Sequence, residues 1–352
     1  MERVMDIADR LAKPAMWLVC AAQALFVALS LLLLLVVSAR AETSCGGKDM
    51  LAEFSASNPD ALKQIEADAA KTPNGRGILW KIEKDGIEPS YLFGTFHVTD
   101  PRVTEIAPAA RAAFDASNTV VIETTDILDD SRMMGILAKR PDLMMYTDAE
   151  TLTSGLTPEQ AVALNEGLEA KGIPPGSVAK MKPWMLLAMI SLPACELARK
   201  GGGEKILDAR LAADAKAAGK AVVGLETGLE QLEVFASLPM DFHISALLDM
   251  LKLGDRADDV FETMIVLYQR EEVGMYWPLF TAIFSAGAGL GEGYAEFDQK
   301  VVTDRNKTMA ERAAPLLDRG GAFVAVGALH LPGEKGLVEL LRERGYALSP
   351  AS

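Results

Sequence analysis

Histidine and cysteine are each present only three times in 352 residues. Imidazole is the commonest metal ligand and the usual proton carrier near neutral pH, so a site of that kind has to be drawn from His97, His243 and His330. Cys20 lies in an apolar N-terminal stretch, which leaves Cys45 and Cys195 and hence at most one disulfide in the rest of the chain. Neither Cys20 nor Cys45 sits in a context that reads as a lipoprotein acylation box. Basic runs are lacking too. Lys and Arg number 35 against 49 Asp and Glu, the formal charge is −14, and no Lys or Arg cluster offsets it, which excludes a nucleic-acid partner. A phosphate loop is also missing. Ala286–Gly287–Ala288–Gly289–Leu290–Gly291 is rich in glycine, yet no strand precedes it and no lysine follows in place, so it reads as a flexible connection or lid.

What is present begins with an uncharged stretch from Pro14 to Val37, apolar enough over Ala24–Leu35 to enter a bilayer. Ala39–Arg40–Ala41 has the small-x-small pattern of a signal-peptidase site. Against cleavage stand the length of the stretch and the balance of Arg3, Arg10 and Lys13 by Glu2, Asp6 and Asp9. Residues 1–41 are therefore read as a signal peptide or an N-terminal membrane anchor through residues 14–37, and residues 42–352 as an exported domain in the periplasm or cell envelope. In that oxidising compartment a disulfide between Cys45 and Cys195 is the economical reading, with two unrelated thiols as its alternative.

Half the residues are hydrophobic, enough for a large core. Asp49–Ala70 predicts a helix broken at Asn58–Pro59, and Gly77–Ile82 with Ser90–Phe93 predicts a hairpin around Asp85–Gly86. Buried strands follow at Asn118–Ile122, Lys220–Leu225 and Phe323–Val326, with a short last strand near Tyr346–Leu348. Helical insertions fill residues 127–219 and 228–318, with capping boxes at Thr157–Gln160 and Thr227–Glu230, a helix from Glu204 to Ala218, and Asp241 as the cap of a helix bearing Ile244, Leu247, Leu248 and Leu251. The methionines of the first insertion, among them Met134, Met181 and Met189, read as core filler, with an adaptable peptide or lipid surface as the other use. Strands spaced by helices predict an α/β fold with a central, largely parallel sheet.

The chemistry gathers at strand ends. Tyr91–Leu92–Phe93–Gly94 is followed by Thr95–Phe96–His97, and Phe323–Val324–Ala325–Val326–Gly327 by Ala328–Leu329–His330, so two of the three histidines share one Gly-x-x-His design. The glycine either takes a positive φ or lets backbone approach closely. Two other strands end at Glu123 and Glu226. The carboxyl edge of a parallel sheet is where ligands bind in such folds, so these four groups converge there despite their distance in sequence. Two neutral imidazoles and one or two carboxylates suit a divalent ion, with the second carboxylate free to act as general base. Arg305 and Asn306, on the helix before the third buried strand, supply an oxyanion or carboxylate partner and a hydrogen-bond donor. His243, with no strand end or carboxylate beside it, reads as structural.

These elements, in this order over residues 77–348, resemble the TraB/GumN/Tiki family. The resemblance rests on Gly94–His97, the Val-Val-Ile-Glu strand at Glu123, Gly224–Thr227, Arg305–Asn306, and Gly327–Leu331 with Gly333. It implies a fold like that of erythromycin-esterase-like and ChaN-like proteins. Tiki members are membrane-tethered peptidases dependent on Mn²⁺ or Co²⁺ that use paired Gly-x-x-His motifs. By resemblance, His97 and His330 are the metal ligands and Glu123 the next, whereas Glu226, Arg305 and Asn306 match characteristic positions of the family and their catalytic roles are inferred from their chemistry. The ion is Mn or Co by resemblance, with Zn added by the donor set. Three functions stay open: a metal-dependent hydrolase acting on a peptide or protein, an envelope protein that sequesters a peptide without cleaving it, and a metal or haem carrier.

Overall fold

In the structure, a computed structural model that describes residues 45–284 and 290–351, turn chemistry sets where the sheet starts. Gly86, at φ +75°, reverses the chain between β1 (Leu79–Glu83) and β2 (Ser90–Thr95), which pair antiparallel with Trp80 opposite Leu92. The other strands are β3 (Thr119–Thr124), β4 (Ala221–Glu226), β5 (Ala322–Gly327) and β6 (Ala347–Pro350). They form one six-stranded sheet in the order β4-β3-β5-β2-β1-β6. β4, β3, β5 and β2 run parallel, and β1 and β6 add an antiparallel edge. The fold is therefore α/β with a mixed sheet and flanking helices, as the strand and helix pattern predicts.

β5 is buried along its whole length and β3 in all but its first residue. Helices on both faces explain this, because a covered strand needs apolar residues at every position rather than at alternate ones. Phe93, Val120, Ile122, Phe323 and Ala325 face one layer with Phe114, Leu211 and Tyr268. Leu92, Val121, Val324 and Val326 face the other, against Met309, Leu317, Val338 and Leu341. A third cluster joins the two helical insertions: Leu164 and Leu168, Leu186, and Leu247 and Leu251 pack together from the helices Pro158–Ala170, Pro183–Ile190 and Met240–Leu253. Met181 and Met189 pack against that cluster as core filler, whereas Met134 is exposed.

Proline explains where several helices begin and end. Asn58 caps the helix Pro59–Ala69, its side chain accepting from Ala61 N–H, and so separates it from Met50–Ser57. The apolar stretch Met181–Lys200 divides into Pro183–Ile190 and Ala194–Gly201, since Pro193 has no N–H to continue the ladder. The capping boxes at Thr157 and Thr227 are both formed. Asp241 is not a cap. Its helix starts one residue earlier, at Met240, with Pro239 in the cap position and no side-chain bond there, and Asp241 instead meets the positive end of the helix dipole from the first turn. The helix expected from Glu204 begins at Leu207.

Cys45 and Cys195 form a disulfide across 150 residues, with their Cα atoms 5.2 Å apart. It ties the segment just before the helix Met50–Ser57 to the helix Ala194–Gly201. On the same helix, the wholly buried Glu196 accepts from Thr99 N at 2.7 Å and Thr99 Oγ1 at 2.8 Å, holding the chain just beyond His97. Residues 1–41, read as signal or anchor, and most of the glycine-rich run, at 286–289, lie outside the described residues. Among the described residues no single helix is long and apolar enough to cross a membrane.

Candidate functional site

The four parallel strands deliver their carboxyl ends to one edge of the sheet. Glu123 is the penultimate residue of β3, Glu226 ends β4, and His97 follows β2 by two residues. His330 closes a single 3₁₀ turn, Ala328–His330, directly after β5. The β2–β5 register sets Thr95 opposite Gly327 and Gly94 opposite Val326, so the two Gly-x-x-His motifs lie side by side, staggered by one residue. Neither glycine has a positive φ. Close approach is the reason for both: a Cβ on Gly94 meets Ala328 and Leu331 at 3.1 Å, and one on Gly327 meets His97 Nε2 at 3.0 Å and Glu123 Oε1 at 3.2 Å. Gly327 thus keeps open the space between the histidine and the glutamate.

Glu123 is the hub. Its Oε1 accepts from Gly327 N–H at 2.7 Å and stands 3.5 Å from His97 Nε2 and 3.8 Å from His330 Nε2. Its Oε2 accepts from Arg305 Nη2 at 2.5 Å and from Gln231 Nε2 at 3.0 Å. Arg305 also donates from Nη2 to Glu226 Oε2 at 2.7 Å and from Nε to both Glu226 oxygens at 3.1 Å, while Nη1 stands 3.3 Å from His330 Nε2. A π-helical turn, Asp298–Thr303, leads into the helix Asp304–Leu317 that carries Arg305, and Val301 O accepts from Nη1. Such turns re-aim a helical side chain without breaking the helix.

Each imidazole is held from behind. Asn306, wholly buried, donates from Nδ2 to Lys335 O and turns its Oδ1 to His330 Nδ1 at 2.7 Å, which makes Nδ1 the protonated nitrogen. Asp208 Oδ2 accepts from His97 Nδ1 at 2.8 Å, and its Oδ1 accepts from Thr95 Oγ1 at 2.7 Å. The His97 side chain keeps 48% of its accessible surface, against 6% for His330 and 8% for Glu123, so the site opens to solvent at His97. A groove of about 400 Å³, lined by Glu226, Glu230, Lys300, Arg305 and Arg312, reaches the other end.

Charge divides the two histidines. Partial loss of hydration works against a proton on His97, but Asp208 and then Glu123 overcome it and raise its pKa well above the usual imidazole value. Burial dominates at His330, helped by Arg305 and His97 against Glu123, and pushes it down to about 3. Glu123 is driven up by burial, yet His97, His330 and Arg305 together hold it well below the usual carboxylate range. His243 lies elsewhere, buried, with Nε2 on Phe235 O at 3.1 Å, as its structural reading expects. Asp208 and Gln231 were not legible as site residues in the sequence. Gln231 sits one turn into the helix Gly228–Ala236 after Glu226, and that spacing was the one signal available.

Among the described residues no three His, Cys, Asp or Glu side chains are arranged to grip an ion as they stand. The donor chemistry of His97, Glu123 and His330 nevertheless fits one. Both Nδ1 atoms are tied, both Nε2 atoms face the same Glu123 oxygen, and ligands about 2.1 Å from a tetrahedral ion are separated by about 3.4 Å, close to the 3.5 and 3.8 Å found here. Two things have to give way: Arg305 Nη1 has to yield the His330 Nε2 lone pair, and the proton that Asp208 and Glu123 favour on His97 has to leave Nε2.

The chain belongs to the TraB/PrgY/gumN family, whose sequence model matches residues 78–350, from just before β1 to the end of β6. Among individual proteins it is similar to one named Metalloprotease TIKI1 from Xenopus tropicalis, 26% identical over 317 residues that cover 76% of this chain and 60% of that protein. A Metalloprotease TIKI homolog from Nematostella vectensis is 24% identical over 343 residues, covering 79% of this chain and 68% of the relative. Metalloprotease TIKI1 from Danio rerio is 26% identical over 313 residues, covering 76% and 62%. The chain thus spans about three fifths of the TIKI1 relatives it matches. No solved structure matches it.

Proposed function

We propose that the chain is a metal-dependent peptidase of the cell envelope, acting on a peptide or protein outside the cytoplasmic membrane. The single observation that supports this best is the convergence of two back-tied imidazoles on one carboxylate oxygen, His97 Nε2 and His330 Nε2 on Glu123 Oε1. In this reading His97, His330 and Glu123 hold the ion, with Mn²⁺, Co²⁺ or Zn²⁺ all compatible with an N₂O donor set. A divalent ion held there would supply Lewis acidity toward a peptide carbonyl and a water molecule. Glu226, the second carboxylate of the site, would be the general base. Arg305 neutralises the two glutamates and presents its guanidinium to a developing oxyanion or a substrate carboxylate. Asn306, buried away from the cleft, keeps His330 in the Nδ1–H tautomer and does not touch substrate. The Cys45–Cys195 disulfide supports an oxidising compartment, and residues 1–41 serve as the export signal or anchor.

A second reading, a peptide-binding envelope protein without turnover, is favoured by one contact, Arg305 Nη1 against the lone pair of His330 Nε2. One experiment separates the two. The protein is incubated with a mixed peptide library with and without Mn²⁺ or Co²⁺, beside His97→Ala and His330→Ala. The peptidase reading expects metal-dependent cleavage in the wild type and at least a hundredfold loss in both variants. Saturable peptide binding with no cleavage, unchanged in His97→Ala, supports the second reading instead.

A further inference from the structure

The helix Leu207–Ala217 belongs to the first helical insertion, yet its first turn reaches the site. Its inward face is apolar, with Leu207, Leu211, Ala212 and Ala215 all in the core that covers the sheet. Asp208 interrupts that environment with a carboxylate 2% exposed. Burying such a charge costs several kcal/mol unless it is well paired. Among the described residues its ion pair is with His97, and its other oxygen accepts from Thr95.

We infer that Asp208 is a positioning residue: it fixes the ring orientation and Nδ1–H tautomer of His97 so that Nε2 faces Glu123 Oε1. Thr95 holds Asp208 in turn, and because Thr95 ends β2 while His97 lies two residues on, strand, carboxylate and imidazole form one closed loop of contacts. His330 has the equivalent support from Asn306. The two differ in kind. His330 is buried and is held by a neutral amide, whereas His97 is half open to solvent, so a charged acceptor on its Nδ1 gives it the stronger hold. Outer partners of this kind set the tautomer and basicity of metal-ligating histidines. The inference rests on His97 being a ligand, and it gives the insertion a part in the site.

Two readouts test it on the full chain. The first is a ¹⁵N–¹H correlation of the imidazoles, uncrowded because the chain has three histidines. The second is the affinity for Mn²⁺ or Co²⁺ by calorimetry. The variants are Asp208→Ala, Asp208→Asn and, as a buried carboxylate away from the site, Asp249→Asn. Asp208→Ala is expected to lose the protected Nδ1–H signal of His97 and 10- to 100-fold in metal affinity. Asp208→Asn keeps an acceptor and is expected to recover the signal and part of the affinity, and Asp249→Asn to leave both unchanged. A merely structural Asp208 changes stability while leaving signal and affinity as they were, and that result overturns the inference. Metal binding in the wild type that survives Asp208→Ala undamaged overturns the role of Asp208 alone. A wild type with no metal affinity overturns the metal centre and the purpose of Asp208 together.

Discussion

Arg305 and Glu123 are joined by a contact of 2.5 Å between Nη2 and Oε2, with both side chains about 8% exposed. The same nitrogen stands 2.7 Å from Glu226 Oε2, so one guanidinium clamps the carboxylates that end two neighbouring parallel strands. Without it, two carboxylates would face each other in a poorly hydrated site.

Arg305→Ala is therefore expected to destabilise the fold by about 3–5 kcal/mol, the usual result of removing one partner from a buried charged cluster. Arg305→Lys is expected to rescue only in part, because an ammonium cannot make the bidentate contact with Glu226 that Nε and Nη2 make. Urea unfolding of the two variants checks both statements, and a loss below about 1 kcal/mol for Arg305→Ala contradicts them.

Gly327→Ala tests the space between ligands. Its Cβ is expected to lie 3.0 Å from His97 Nε2 and 3.2 Å from Glu123 Oε1, where neither group has room to retreat without loosening its hydrogen bonds. Metal affinity and cleavage should fall at least tenfold, with a stability loss of about 1–3 kcal/mol from overpacking. Unchanged metal affinity in a folded Gly327→Ala protein would show that the gap has no part in binding.

Much of this arrangement is legible in the sequence, because its parts are local. Gly94 and Gly327 mark the ends of strands, Glu123 and Glu226 stand directly after apolar runs, and Asp85–Gly86 announces a hairpin. Asp208 is not, because an acidic residue in the first turn of a helix is ordinary, and its partner His97 lies 111 positions away. Gln231 hides for the same reason, inside an amphipathic helix, although it bridges both glutamates. Asp241 misleads in the opposite way: it has the residue type of a cap, but Pro239 fixes the backbone first.

The pH dependence of stability isolates His243. Burial, reinforced by Lys182 and opposed by the bond to Phe235 O, lowers its pKa from 6.5 to about 4 in the folded protein. The unfolded chain therefore binds the extra proton between those values, so this contribution is fully present above about pH 6.5 and is lost as the pH falls through about 4. The total is on the order of 3 kcal/mol. Unfolding free energies at several pH values, compared with His243→Gln, should show a slope between pH 4 and 6.5 that the variant lacks. Parallel profiles for the two proteins contradict the buried, neutral histidine.

The central claim is that His97, Glu123 and His330 share one ion, and anomalous diffraction from crystals soaked in Mn²⁺ tests it most directly. The account predicts a single strong peak about 2.1 Å from His97 Nε2, His330 Nε2 and Glu123 Oε1, with Arg305 Nη1 drawn off His330. A map with no peak there at saturating Mn²⁺, and Arg305 still seated on His330 Nε2, contradicts it.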